Sequence, residues 1–409
     1  MSAAAPAPPV LRRRVLLLLL IGISAVGQLT FAAMPPVLPE LAAALRVSRG
    51  AIGVAQGIVA LPGILLAGYL GYLLDRFGRR RVVRASLLIF GTAGAACFFA
   101  GNYWLMLGLR LVQGLGASTL LSFGVVLVGD QFIGHSRRWA MGINAAALTL
   151  AGTLWPILSG LVGAGGSLRP FLLYLLAFPV WLAARLVPEP AHEPSPQRPL
   201  AHLGDALRDL RAKGRLADYL GILPLSLITL SVYLGLTQTL TPLFLESEYG
   251  LTTTARGLLI ALAAGASSIT SMLSSRASTI ARPARLIGAG LALQVVGFVA
   301  IGVAPALAVV GIGLAVVGGG QGLLTPLLQH FTTSVGRDRY RGVLVGTWVS
   351  ANRVGMFVGP SGTAALAAGI GERPSYLAGA AIVVLVAVFW LPFRRLAGRR
   401  LRAGIPPVS

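Results

Sequence analysis

The 409-residue chain is 56% hydrophobic and only 11% charged, and its formal net charge is +22. A soluble chain of this length needs roughly 25% charged residues to cover its wetted surface. The composition therefore excludes an ordinary water-soluble protein and indicates one that uses lipid as part of its solvent.

Twelve apolar blocks follow one another along the chain, each close to the roughly 20 residues that a helix needs to cross a bilayer. The first is too long for the apolar part of a signal peptide, and Pro35, Pro36 and Pro39 stand where a cleavage site would lie. The blocks predict an all-α membrane protein with twelve transmembrane helices. They cover residues 15–38, 51–74, 82–100, 103–128, 139–164, 169–187, 219–245, 256–277, 286–303, 306–331, 342–368 and 375–393.

Most basic residues fall at one end of this predicted bundle. They lie in the loop 76–84, around Arg137, in the segment 188–218 and after Arg394. Because basic loops stay on the cytoplasmic side, both termini are predicted to be cytoplasmic. The same rule explains the high positive charge without a nucleic-acid partner. The predicted location is the bacterial cytoplasmic membrane, crossed many times.

The sequence also has the pattern of a duplication. Offsets of 204 to 207 residues match Gly114 with Gly318, Pro156 with Pro360, Pro36 with Pro242 and Arg49 with Arg256. We therefore expect two pseudo-twofold-related six-helix bundles, 1–187 and 219–409, joined by a cytoplasmic linker, 188–218. Two like bundles with a solute path between them suit alternating access around a site near the midplane.

Two motifs carry a family resemblance. The loop after the second predicted helix reads Gly71-Tyr72-Leu73-Leu74-Asp75-Arg76-Phe77-Gly78-Arg79-Arg80. It resembles the signature loop of the major facilitator superfamily, Gly-x-x-x-Asp-Arg-x-Gly-Arg-Arg. The fourth helix contains Arg110-Leu111-Val112-Gln113-Gly114-Leu115-Gly116, which is similar to the family pattern Arg-x-x-Gln-Gly-x-Gly.

The resemblance implies a latch that holds the two halves together in the outward-facing state. Asp75 would cap the cytoplasmic start of helix 11 near Gly342, and Arg79 would pair with Asp130 at the end of helix 4. A carboxylate at a helix N-terminus gains roughly 0.3–2 kcal/mol from the helix dipole. The alternative is a solvated basic loop. The expected latch residues are Gly71, Asp75, Arg76, Gly78, Arg79, Arg80 and Asp130.

Helix 5 looks like the Gly/Pro motif found in antiporters of this family, although Trp155 replaces the usual glycine before Pro156. Helix 11 has a fuller form, Gly355-Met356-Phe357-Val358-Gly359-Pro360. A proline inside a helix removes a backbone hydrogen bond and bends the helix. The motif favours export. The expected bending or packing residues are Gly152, Pro156, Gly160, Gly355, Gly359 and Pro360.

Charged residues within the predicted membrane segments are few. The twelve acids fall near helix ends or in loops, so the mid-membrane carboxylate that proton-coupled members usually carry is missing. Arg110 and Arg353 do lie inside predicted helices. A buried guanidinium is costly, so each should face protein or a watery cavity. The resemblance favours a structural role for Arg110, whereas for Arg353 a structural role and an anionic substrate remain equal alternatives.

Polar and aromatic residues inside helices 1, 4, 7, 10 and 11 form the expected substrate cavity. Such a mostly apolar lining suits adaptable recognition of amphipathic compounds. The alternative for each residue is an ordinary packing contact. The expected cavity residues are Gln28, Phe31, Arg110, Gln113, Ser118, Tyr233, Gln238, Gln321, Thr325, Trp348, Asn352 and Arg353.

The sequence therefore predicts a secondary transporter that exports small amphipathic drugs or metabolites, with an importer or exchanger of organic anions as the alternative. A membrane enzyme and a channel are disfavoured, because neither a cluster of histidines and acids within the membrane nor a ring of like side chains is evident. No cofactor or metal is expected, and Cys97 stands alone. The expected partners are a small-molecule substrate, the lipid bilayer and a coupling ion that need not be a proton, and we expect a monomer.

Overall fold

The computed structural model describes residues 10–66, 69–188, 203–335 and 340–400, and these ranges are helical apart from short turns. We number the long helices 1 to 12 in chain order. Their bounds are Val10–Ala32 with Leu38–Ala44 (helix 1), Arg49–Gly57 with Leu61–Leu66 (helix 2), Arg79–Ala96 (helix 3), Tyr103–Gln131 (helix 4), Gly134–Gly163 (helix 5), Arg169–Leu176 with Ala177–Ala183 (helix 6), Leu216–Tyr233 with Thr241–Tyr249 (helix 7), Thr253–Ile280 (helix 8), Pro283–Gly302 (helix 9), Leu307–Val335 (helix 10), Arg341–Ile370 (helix 11) and Glu372–Arg400 (helix 12).

Eleven helical segments in the described ranges are long and apolar enough to cross a membrane. Helix 11 is the twelfth long helix. It has 30 residues but is less apolar, because Asn352, Arg353 and several small polar residues interrupt its hydrophobic sequence. The predicted fold class, an all-helical membrane protein with twelve transmembrane helices, is confirmed.

Buried apolar side chains form two clusters. The first extends from Leu16 to Val187 and also contains Leu243. The second extends from Ala206 to Trp390 and includes residues of the linker helix Leu203–Ala212. Helices 1 to 6 and helices 7 to 12 therefore each pack around an interior of their own.

Small residues set the same helix contacts in both halves. A Cβ added at Gly116 of helix 4 would lie 2.4 Å from Ser86 O of helix 3. One added at Gly320 of helix 10 would lie 2.6 Å from Gly290 O of helix 9. Gly116 and Gly320 correspond at an offset of 204. Close backbone approach through glycine is the usual device for packing helices in lipid.

The two ends of the bundle differ in charge. At the basic end, where helices 2 and 3 are joined, the short helix Leu70–Phe77 is followed by Gly78, whose φ of 85° suits only glycine. We call the opposite end, where helices 1 and 2, 7 and 8, and 11 and 12 are joined, the gate end. Helix 11 stops there at Gly371, with a φ of 89°. Carboxylates of Glu40, Glu246 and Glu372 lie at this end.

Candidate functional site

At the gate end, helix 2 of the first half lies directly against helix 11 of the second. A Cβ added at Gly53 would come within 2.5 Å of Pro360 O, and one added at Gly57 within 2.7 Å of Phe357 O. No real side chain tolerates such distances from a backbone oxygen. The two backbones can therefore meet only because helix 2 carries glycine at both positions.

Helices 5 and 8 make the corresponding contact on the other side of the bundle. A Cβ added at Gly257 would lie 2.4 Å from Pro156 O, and one added at Gly160 would lie 2.5 Å from Thr253 O. The hydroxyl of Thr253 donates to Gly160 O at 3.0 Å. Pro156 and Pro360, matched by the duplication, thus lie at equivalent crossings between the halves.

The other predicted packing glycines act within a half. A Cβ at Gly359 would lie 2.2 Å from Ser231 O, and one at Gly355 would lie 2.7 Å from Leu227 O, both on helix 7. Gly152 is loosely packed, because a Cβ there would meet only Gln28 Nε2 at 3.6 Å. Gly355 and Gly359 therefore hold helix 11 against helix 7, while a bend at the prolines stays a prediction.

Ion pairs join the halves at the gate end, and two of them are related by the duplication. Arg49, at the start of helix 2, donates from Nη2 to Glu246 Oε2 at 3.1 Å. Arg256, near the start of helix 8, donates from Nη2 to Glu40 Oε1. Glu40 and Glu246 correspond at an offset of 206, and Arg49 and Arg256 at 207. Each ion pair is therefore the pseudo-symmetric counterpart of the other.

The two pairs differ in burial. The Arg49 and Glu246 side chains are 46% and 41% exposed, whereas Arg256 is fully buried and Glu40 is 42% exposed. Nε and Nη1 of Arg256 find no hydrogen-bond partner in the described chain, so Glu40 alone compensates this buried charge. Arg49 also donates from Nη1 to Glu372 Oε1 at 2.5 Å, which ties the start of helix 12 to the gate.

Sequence analysis did not place these carboxylates in a functional site. The signal was nevertheless present, because Glu40 and Glu246 share the offset of 206 that matches Pro36 with Pro242. Extending that match by four residues finds both acids at once. Acid and base at equivalent places in two repeats predict reciprocal pairing wherever the repeats face each other.

At the basic end, the signature loop contains the ion pair that the resemblance implies. Arg79 Nε donates to Asp130 Oδ2 at 2.5 Å, and Arg80 Nε donates to Val187 O at 2.8 Å. Arg79 and Asp130 both belong to the first half, so this pair alone does not join the halves. The side chain of Arg76 is exposed.

The rest of the predicted latch lies only partly within the described residues. The side chain of Asp75 and the surroundings of Gly71 lie outside the described residues. On helix 11, a Cβ added at Gly342 would meet nothing within 4 Å, and the same holds for Gly346. Among the described residues nothing therefore packs against helix 11 at these two glycines, and the latch stays a prediction.

Arg110 is enclosed within the first half. Its guanidinium donates to Gln113 Oε1 at 3.1 Å, Tyr174 OH at 3.3 Å, Ala55 O at 3.2 Å, and Thr30 O and Gln56 O at 3.4 Å. Neither Arg110 nor Gln113 has accessible surface. Protein oxygens therefore satisfy the charge of Arg110 in this structure, and the place of both residues in the cavity lining stays a prediction.

Two cavity candidates on helix 11 form hydrogen bonds with helix 7. Trp348 Nε1 donates to Ser226 Oγ at 3.0 Å, and that hydroxyl donates to Asn352 Oδ1 at 2.8 Å. In the first half, Ser24 Oγ donates to Asn144 Oδ1 at 2.5 Å, again between the first and fifth helices of the half. The repeated Ser–Asn pair is a contact between the first and fifth helices of each half, and the place of Trp348 and Asn352 in the cavity stays a prediction.

The cavity candidates on helix 10 belong to a row of hydrogen bonds that begins on helix 9. Gln294 Nε2 donates to Gln321 Oε1 at 2.7 Å, and Gln321 Nε2 donates to Thr325 Oγ1 at 3.1 Å. Gln294 and Gln321 are buried, while Thr325 is exposed. Of these three hydrogen-bonded residues, only Thr325 is therefore exposed enough to contact a solute.

The remaining candidates lie on helices 1 and 7. Gln28 is half-buried and donates to Leu148 O at 3.3 Å, and Phe31 is half-buried against the first core. Tyr233 is buried in the second core. Gln238 lies in a π-helical stretch, Leu234–Leu240, and its Oε1 is enclosed without a partner in the described chain. Such π-helical stretches recur at functional sites, which supports Gln238 as a candidate. Gln28, Phe31 and Gln238 therefore stay predicted residues of the substrate cavity.

Arg353 and Ser118 both border Gly63, at the boundary between the halves. A Cβ added at Gly63 of helix 2 would lie 3.0 Å from Ser118 Oγ of helix 4 and 3.3 Å from Arg353 Nε of helix 11. Arg353 is 4% exposed, and its Nη1 is enclosed without a hydrogen-bond partner in the described chain. Of the two arginines that the sequence placed within the membrane, this one has its charge unsatisfied at the interface.

Twelve long helices in two packed halves, closed on each other at one end, define a multi-pass membrane protein of the transporter type. Residues 19–360 match the family model described as the Major Facilitator Superfamily, and the chain belongs to that family. Members of this family move small molecules across membranes, and the chain is a membrane transporter.

Curated relatives include efflux proteins. The chain is 28% identical over 408 residues to a multi-drug resistance efflux pump PmrA homolog of Lactococcus lactis, covering 95% of this chain and 97% of that protein. It is 30% identical to the bacillibactin exporter of Bacillus subtilis over 143 residues, which span 33% of this chain and 36% of the exporter. Among solved structures, a bacterial homolog to the human lysosomal transporter Spinster, in an inward-facing and unoccupied conformation, superposes with a TM-score of 0.81 at 18% identity, covering 98% of this chain and 100% of that one.

Proposed function

We propose that this transporter exports small amphipathic solutes by alternating access, with the halves 1–187 and 219–409 rocking against each other. The observation that carries the proposal is the reciprocal closure of the gate end, where equivalent glycine contacts and ion pairs join the two halves. A duplicated protein whose halves close on each other through matched surfaces can open the same surfaces by one rotation.

The gate is built to be reversible. The Arg49–Glu246 pair is nearly half exposed, and exposed pairs contribute only about 0.2–1 kcal/mol. At the crossings near Gly53 and Gly257, the backbone oxygens of Pro360 and Pro156 face the opposing helix. Opening this end therefore exposes groups that water can solvate.

Sidedness follows from charge. We assign the basic end to the cytoplasm, because basic loops are retained there, and the gate end to the outside. The state described is then closed to the outside. In the opposite state we expect Asp75 and the Arg79–Asp130 pair to engage the start of helix 11, where no described atom would meet a Cβ added at Gly342 within 4 Å.

Export is the direction that the relatives support. The Lactococcus lactis relative, matched over nearly the whole chain, is named an efflux pump. Pro156 and Pro360 lie at the two crossings between the halves, as expected if the Gly/Pro segments shape the surfaces that separate. The second candidate is import or exchange of organic anions, and it rests on the unpaired Arg353.

A vesicle assay tests the proposal. Inverted membrane vesicles containing the protein should accumulate amphipathic dyes, whereas right-side-out vesicles should not. Gly257→Leu should abolish the accumulation because it blocks closure of the gate, and the matched variant Gly108→Leu should retain it, because a Cβ at Gly108 meets nothing within 4 Å. Accumulation of organic anions alone, in right-side-out vesicles, would favour the second candidate over export.

A further inference from the structure

Arg353 lies deep in the bundle, between the two halves. It is 12 residues from the start of helix 11 at Arg341 and 17 from its end at Ile370. With a rise of 1.5 Å per residue, those ends are about 18 Å and about 26 Å away along the helix axis. The guanidinium therefore sits at mid-membrane depth.

Three helices from both halves surround this group. The side chain of Arg353 reaches from helix 11 to Gly63 on helix 2, where an added Cβ would lie 3.2 Å from its Cδ. Ser118 Oγ of helix 4 borders the same position at 3.0 Å. Because Gly63 has no side chain, the arginine can approach the first half closely. The site is consequently shared between the halves and must change when they separate.

The charge of Arg353 is not compensated by the described protein. The residue is 4% exposed, Nη1 is enclosed without a partner, and its side chain forms no hydrogen bond or ion pair with the described residues. Arg110, at 0% exposure, donates to five oxygens. The same fold thus satisfies one buried arginine completely and leaves the other free.

The acids with described side chains lie far from this depth. Glu40, Glu246 and Glu372 are at the gate end. Asp130, at the basic end of helix 4, is 12 residues beyond Ser118, which is about 18 Å along the helix. An isolated buried cation is strongly unfavourable unless an anion pairs with it.

We propose that Arg353 binds an anionic group of the transported solute, and that the substrates are amphipathic organic anions such as aromatic carboxylates. A guanidinium offers a planar pair of donors that matches a carboxylate, sulfonate or phosphate. This inference rests on the proposed transport function and narrows its substrate class. It also gives the solute a role in the cycle, because a bound anion makes it less costly to bury Arg353 between the closing halves.

The test compares matched solutes that differ by one charge. Thermal stability and dye binding of the purified full-length protein are measured with 2-naphthoate and rhodamine B, and with the ethyl ester of each. Arg353→Gln should weaken carboxylate binding by about tenfold or more, the usual loss for a hydrogen bond to a charged group, and change ester binding less than about twofold. The matched control Arg282→Gln, at an exposed arginine, should bind as the wild type does.

Several outcomes would overturn the inference. They are equal loss of acid and ester binding in a folded Arg353→Gln protein, unchanged binding of both, and a wild type stabilised by none of the carboxylates. Arg353-dependent stabilisation by chloride or inorganic phosphate, with no competition from the carboxylates, would make this an inorganic-anion site and likewise overturn it. Should Arg353→Gln fail to fold, Arg353→Lys keeps the charge without the paired donors and should show a smaller loss confined to the carboxylates.

A separate readout keeps the two proposals apart. Reconstituted wild-type protein is assayed for movement of the same solutes across proteoliposomes. If Arg353-dependent carboxylate binding is present but no solute moves, the binding inference holds and the transport proposal fails. If esters and acids are moved equally by wild type and Arg353→Gln, transport holds and the inference fails.

Discussion

Glu40→Gln should open the gate end far more than the pseudo-symmetric change Glu246→Gln. Arg256 is fully buried, and within the described chain only Glu40, itself 42% exposed, compensates it. Breaking a fully buried pair costs about 3–5 kcal/mol and breaking an exposed one about 0.2–1 kcal/mol. A pair buried on one side lies between, at about 2 kcal/mol, which shifts the closed–open equilibrium about 30-fold at 1.4 kcal/mol per factor of ten.

The Arg49–Glu246 pair should matter much less. Both of its side chains are more than 40% exposed, and Arg49 keeps Glu372 as a second partner. Its loss should cost about 0.5 kcal/mol, or about a twofold shift. Two equivalent positions are thus expected to differ by about a factor of ten in effect, purely through burial.

Distances between spin labels at the gate end can measure this difference. Ala44 in the first half and Ala368 in the second are exposed, and cysteines there can be labelled selectively once the single native thiol is removed by Cys97→Ala. Double electron–electron resonance then gives the populations of short and long distances in each variant. The long-distance population should rise strongly with Glu40→Gln and slightly with Glu246→Gln. Equal responses, or none from Glu40→Gln, would refute the assignment of Glu40 as the partner that keeps the gate shut.

Three further changes probe other parts of the structure. Gly257→Leu places a side chain where a Cβ would already lie 2.4 Å from a carbonyl of helix 5, and should lower dye transport into proteoliposomes at least about tenfold while Gly108→Leu does not. Arg110→Leu removes five donated hydrogen bonds and should reduce the unfolding free energy by about 3 kcal/mol, seen as a lower melting temperature with unchanged preference for acids over esters. Asp130→Asn breaks the pair with Arg79 and should slow turnover several-fold, with solute affinity in binding assays unchanged.

The helices could be predicted because few backbone conformations are stable in lipid, and the duplication could be predicted from the repeated glycines and prolines. A segment that crosses the membrane must satisfy its own backbone hydrogen bonds, so an apolar block of sufficient length is already a helix. Helix 11 was predicted even though its sequence is less apolar than that of the other long helices. Its hydropathy is interrupted at Asn352 and Arg353, yet its length and its match to helix 5 through Pro360 and Pro156 identified it.

The direction in which each polar side chain faces could not be predicted. Asn352 and Arg353 are neighbours in sequence, but successive residues on a helix point about 100° apart. Asn352 therefore faces Ser226 of helix 7, while Arg353 faces Gly63 of helix 2. Local sequence says nothing about which neighbouring helix lies on each side.

Long-range partners were the other missing information. The oxygens that satisfy Arg110 include Ala55 O and Tyr174 OH, which are 55 and 64 residues away in the chain. Only the assembled first half brings them together. The gate pairs span even larger separations, and the repeat offset was the one sequence signal that related Glu40 to Glu246.

Reciprocal motion of the two ends is the central claim, and paired distance measurements test it most directly. One label pair reports the gate end, at Ala44 and Ala368, and a second reports the basic end, at the exposed residues Arg137 and His330. On adding solute to the reconstituted protein, the gate-end distance should lengthen in the same population in which the basic-end distance shortens. Ends that open together, or a gate-end distance that never changes while solute is transported, would contradict the account.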